Sequence, residues 1–126
     1  MNLNLNLNRM AREDCIKEES LATLHRLGGD ALVKEMIGIF LDFVPKKMDQ
    51  VMKGQAAASL QEIEKGAHAI KSSAANVGAW RLQELASQIE LTARQNTAEP
   101  LPALLQDLQN EFKTVCESLK ARCGAD

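Results

Sequence analysis

A chain of 126 residues with 45% hydrophobic and 25% charged side chains is long enough for one domain with its own core, and too apolar to stay unfolded. A net charge of -2 offers no basic field to a nucleic acid, no apolar run approaches the roughly 18 residues of a membrane span, and the opening Asn-Leu alternation lacks a signal-peptide core. Aromatic residues at 3% and the scarcity of Gly and Pro argue against an all-β domain, and Cys15, Cys116 and Cys123 read as free thiols of a reduced, cytoplasmic protein.

Residues 1–12 read as a flexible tail, and 13–126 as a single helical domain. A short helix is predicted from Lys17 to Leu27, with Leu21, Leu24 and Leu27 on one side; Gly28-Gly29 ends it and Asp30 suits the N-cap of the next. The second helix carries Val33, Met36, Ile37, Phe40, Val44, Met48, Val51 and Met52 at three- and four-residue spacing. Pro45 falls inside that pattern and predicts a kink, because proline removes a backbone donor. Gly54 punctuates the chain before a third helix from about Ala57 to Val77, which Gly78 caps. A fourth helix starts near Ala79 and presents Leu82, Leu85, Ala86, Ile89 and Ala93. After a connection over Asn96 to Pro100, the last helix presents Leu101, Leu104, Leu105, Leu108, Phe112, Val115, Cys116 and Leu119, with its prolines in the first turn. Short connections make sequential helices antiparallel neighbours. The predicted fold is all-α: an antiparallel up-and-down four-helix bundle with a short extra N-terminal helix.

The third helix carries an anomaly. At about 100° per residue, Ile63, Gly66, Ala67, Ile70, Ala74 and Val77 share one arc, which must face the core. His68 points roughly opposite Ile70 and shares its side with Gln61, Glu64, Lys65, Lys71, Ser72 and Ala75. An exposed histidine in mid-helix is usually an ordinary surface residue. Here Lys71 lies three residues on, Ser72 and Ala75 are small enough to admit another backbone, and helix propensity gives little reason for the histidine. His25 reads as a helix-end residue, Trp80 as a cover over the core, and Asn76 as a local partner for backbone groups at the helix end. A metal-carboxylate bundle would need inward Glu-x-x-His pairs, which are absent from the pattern.

The segment from Ala67 through His68, Lys71, Ser72 and Asn76 to Gly78-Ala79 closely resembles the signature of histidine-containing phosphotransfer (HPt) domains. Leu82, Leu85 and Ile89-Glu90 resemble the family's next helix, and Gly29-Asp30 and Phe40 with a nearby Pro its earlier ones. Serine stands at position 72, where many members have Gly, which implies tighter docking around the histidine.

The resemblance implies that His68 accepts a phosphoryl group from a receiver-domain aspartate and passes it to another receiver aspartate. It also implies that Lys71 offers charge to the phosphoryl oxygens. Gln61, Glu64, Lys65, Ser72 and Ala75 are the expected partner contacts, with Arg81, Glu84 and Gln88 as weaker ones. The implied partners are response-regulator receiver domains and a hybrid sensor histidine kinase. With no Gly-rich phosphate loop and no acidic metal cluster, the chain is expected to be a phosphocarrier without its own ATP site or cofactor. Mg²⁺ is then expected in the receiver, and the carrier is expected to be a monomer. The alternative is a receiver-binding adaptor of the same fold that is never phosphorylated.

Overall fold

Leucine, isoleucine and alanine at helical spacing assemble four helical runs in the computed structural model, which describes residues 15–123. They are α1 (Glu18–Ala56), α2 (Leu60–Asn76), α3 (Trp80–Arg94) and α4 (Leu101–Arg122). The predicted tail and the start of the domain at residue 13 lie outside the described residues.

α1 contains both helices expected before Gly54. They meet at Gly29, whose φ of 69° and ψ of -165° interrupt the helical conformation where the Gly-Gly pair predicts a break. Asp30 follows directly, and its carboxylate pairs with the exposed His25 imidazole at 3.2 Å. The kink expected at Pro45 does not appear as a second break: the non-helical dihedrals inside the run belong to Gly29. Pro45 is exposed, and the carbonyl it leaves without an amide partner is that of the half-buried Leu41, one turn earlier.

Ile37, Phe40, Val44, Met48 and Val51 of α1 are buried against Ile63, Ala67, Ile70 and Ala74 of α2. Leu82, Ala86, Ile89 and Ala93 of α3 and Leu101, Leu105, Leu108, Val115 and Leu119 of α4 complete the core. Fully burying side chains of this size contributes roughly 1.5–3 kcal/mol each before conformational entropy is counted. Phe40 and Phe112 tie α1 to α4 with ring centroids 6.1 Å apart. Helix order follows from the contacts. Gly54 and Gln50 of α1 meet Ile63 and Glu62 of α2, while Val51 and Lys47 meet Gly66, so the two run antiparallel. Glu64 meets Arg94 and Lys71 meets Glu90, so α3 runs back along α2.

One of the next two starts differs slightly from the sequence expectation, and the other agrees with it. α2 begins at Leu60, because the Ser59 hydroxyl accepts from the Glu62 amide at 3.3 Å and caps the helix there. α4 begins at Leu101, with Pro102 in its first turn. Gly66 lets the α1 and α2 backbones approach: a β-carbon there would lie 2.5 Å from Val51 Cγ2.

Gly78 ends α2 in the left-handed region at φ 75°. Its carbonyl accepts from the Lys17 amide at 2.8 Å, which docks the N-terminal start of α1 on the α2–α3 turn. A β-carbon at Gly78 would lie 2.8 Å from the Lys17 carbonyl oxygen. Gly78→Ala is therefore expected to lower stability by about 2–3 kcal/mol, from left-handed strain plus a backbone clash. Thermal melting checks it, and a wild-type midpoint would show that this docking contributes nothing. Asn76 does not serve as the local partner that its position predicts. It is exposed, and the helix end is closed by backbone bonds from Val77, Gly78 and Ala79 to Ala74 and Ala75. Trp80 is half-buried with the Arg81 guanidinium 5.3 Å from its ring centroid.

Among the described residues no helix is long and apolar enough to cross a membrane. Among the described residues none of the three cysteines forms a disulfide, and Cys15 is buried. Burial pushes the Cys116 thiol up to about 11, which leaves it protonated and unreactive at neutral pH.

Candidate functional site

The apolar arc of α2 is so complete that the residues off it have one direction left. His68 follows the buried pair Gly66-Ala67 and leaves 62% of its side chain in water. Its ring does not float freely. Nδ1 lies 2.6 Å from Oε2 of Glu90, on the facing helix α3.

Glu90 sits beside the buried Ala86, Ile89 and Ala93, and its side chain is only 5% exposed. Three groups converge on that carboxylate. Lys71 Nζ donates to Oε1 at 2.5 Å, while His68 Nδ1 and an Arg94 terminal nitrogen, the latter at 3.1 Å, share Oε2. Burial by itself would raise the Glu90 carboxyl. The hydrogen bonds and the charges of Lys71 and His68 together outweigh it and hold the group below its ordinary value of 4.5. An ionised carboxylate only accepts, so Nδ1 must be the nitrogen that carries hydrogen. In the neutral ring Nε2 then keeps its lone pair, on the side turned away from Glu90. A buried acid thus selects the tautomer and aims the exposed nitrogen outward.

The remaining expected residues divide into two groups. Gln61, Glu64 and Lys65 line a surface cleft with His68, Glu90 and Arg94. Glu64 is half-buried and accepts from Arg94 Nε at 2.9 Å. Ser72 and Ala75 are exposed one and two turns further along α2, and the Ser72 hydroxyl donates back to the His68 carbonyl at 3.3 Å. Lys71, expected in water, is only 31% exposed, because its ammonium reaches across to the α3 carboxylate. Arg81, Glu84 and Gln88 lie elsewhere: with Leu85 and Glu111 they line a groove on the α4 side of α3. Their spacing on α3 turns them away from the imidazole.

Glu90 and Arg94 were not among the expected site residues. A signal existed in the sequence, since Glu90 interrupts the apolar arc of Ala86, Ile89 and Ala93, and Arg94 stands four residues on. Nothing local indicates that the interrupting acid meets a histidine 22 positions earlier. Among the described residues no three His, Cys, Asp or Glu side chains are grouped to hold a metal ion.

The model of the Hpt domain family matches residues 35–121, more than half of the chain. Among solved structures, the histidine-containing phosphotransfer protein B (HptB) of Pseudomonas aeruginosa PAO1 shares the fold with a TM-score of 0.83. The match has 22% sequence identity and covers 88% of this chain and 96% of that one. No curated protein sequence matches the chain.

Proposed function

The chain belongs to the Hpt domain family of two-component signalling, and from that premise we propose that His68 is the residue that carries the phosphoryl group. The observation that carries this reading is the bond from His68 Nδ1 to the buried Glu90 carboxylate, which leaves Nε2 as an exposed nucleophile. Its lone pair attacks phosphorus in a receiver's aspartyl phosphate, the acyl oxygen leaves with the electron pair, and Nδ1–H stays on Glu90. Transfer to a second receiver runs the same exchange in reverse. The intact His68–Glu90–Lys71 network favours a carrier over an adaptor that is never phosphorylated.

Phosphoryl transfer asks mainly for position and charge. Glu90 supplies the position, and Lys71 keeps that carboxylate ionised while adding positive charge one turn from the ring. Mg²⁺ and the acidic pocket belong, in this reading, to the receiver. Gln61, Glu64, Lys65, Ser72 and Ala75 surround the imidazole as the first contacts of a docked receiver. A transient encounter of this kind needs only a modest interface. The donor is a hybrid sensor histidine kinase acting through its receiver, and the carrier works as a cytoplasmic monomer.

Incubation with a phosphorylated receiver domain tests the reading. Acid-labile, base-stable label should move onto this chain, about one phosphoryl group per molecule. Label that stays on a panel of such receivers, with none reaching this chain even with Mg²⁺ present, overturns it.

A further inference from the structure

A cleft of about 390 Å³ opens beside the exposed side of the imidazole, lined by Gln61, Glu64, Lys65, His68, Glu90 and Arg94. Of the cations nearby, Lys71 is committed. It is half-buried on Glu90 Oε1, and moving it would strip a buried carboxylate of a partner. Arg94 is differently placed. It is 58% exposed, and its Nε is engaged only by Glu64, a partly exposed carboxylate whose hold in water is weak. Its terminal nitrogen rests on the same Glu90 oxygen that accepts from His68 Nδ1. One oxygen therefore pegs guanidinium and imidazole side by side.

We infer that Arg94 is the clamp for the phosphoryl group on His68, exchanging Glu64 for the phosphoryl oxygens while staying on Glu90. This rests on the phosphocarrier reading and deepens it. A phosphoryl group on Nε2 brings up to two negative charges and three acceptor oxygens next to the cleft. A planar guanidinium pairs better with those several oxygens than with the single Glu64 oxygen that its Nε now holds. Lys65 and Gln61 supply further donors at the rim, and Glu64, once released, is the acid that opposes the phosphoryl charge. Glu90 stays neutralised by Lys71 throughout.

The experiment needs no receiver. Phosphoramidate serves as donor: Nε2 attacks its phosphorus, the P–N bond breaks, and ammonia leaves with the bonding pair. ³¹P NMR then follows the phosphohistidine signal through its second ionisation. A neighbouring cation favours the dianion, so Arg94→Ala should raise that midpoint by roughly 0.5–1 pH unit, and Arg94→Lys should restore part of the shift. Glu64→Gln should move it the other way, because the competing carboxylate is gone. Unchanged midpoints in Arg94→Ala and Glu64→Gln, with the signal present, overturn this clamp and leave the carrier reading standing. A wild-type protein that yields no phosphohistidine signal overturns both.

Discussion

Glutamine in place of His68 is expected to abolish phosphoryl labelling while far-UV circular dichroism and melting stay near those of the wild type. The side chain is 62% exposed, so its loss removes little apolar contact. Exposed substitutions of this kind usually move stability by about 0.5 kcal/mol or less. The glutamine amide can still donate to Glu90, so the buried carboxylate keeps a third partner beside Lys71 and Arg94. What disappears is the nucleophilic nitrogen, and nothing nearby replaces it. The chain has one other histidine, His25, which is exposed and paired with Asp30 near the Gly29 break in α1. Labelling that survives the substitution would move the role there or end the proposal.

Glu90→Ala should damage both rate and stability, for separable reasons. Without the carboxylate the imidazole loses the partner that selects its tautomer and holds its ring. Partners that orient metal-bound histidines cost about 10–100-fold when removed, and a loss near the lower end, about tenfold, is expected for this metal-free imidazole. Lys71 would remain half-buried without its acceptor, lowering stability by roughly 1–2 kcal/mol after allowing for the water that reaches it. Glu90→Gln separates the two effects. Its amide oxygen can accept from Nδ1 but carries no charge for Lys71, so it should recover much of the rate and less of the stability.

The acid side gives a third readout of the same residue. Glu90 has a folded-state value below its ordinary 4.5, so its stabilising contribution is fully present above about that pH. It is lost as pH falls from there through the lowered folded value, because the unfolded chain binds the proton first. The Glu90→Gln variant should lack this component of acid destabilisation, and urea melts at pH 6 and pH 3 measure it. Identical loss between the two pH values in wild type and variant would show that the three-donor network contributes nothing to stability.

Much of the architecture was legible because helix formation is written in spacing. The arcs Ile63–Ala67–Ile70–Ala74 and Leu82–Ala86–Ile89–Ala93 identify both core faces before any contact is known, and the same wheel places His68 in water. The Gly28-Gly29 break and the left-handed Gly78 cap follow from backbone sterics that act locally. Pro45 shows the limit of that argument: it deletes one backbone bond, yet the dihedrals stay helical there while Val44 and Met48 on either side are held in the core.

The linear pattern by itself determined the helices, their order, their buried faces and the outward direction of one imidazole, because each depends on residues within a turn or two. Which nitrogen of that imidazole stays bare was decided only by the tertiary packing. So was the turning of Lys71 inward and the placing of Arg94 beside the ring. Those outcomes depend on a carboxylate from a different helix, 22 positions away, brought into reach when α2 and α3 bury their apolar faces against each other. Periodicity specifies which side of a helix is dry; only the packed pair specifies which polar atoms meet at its edge.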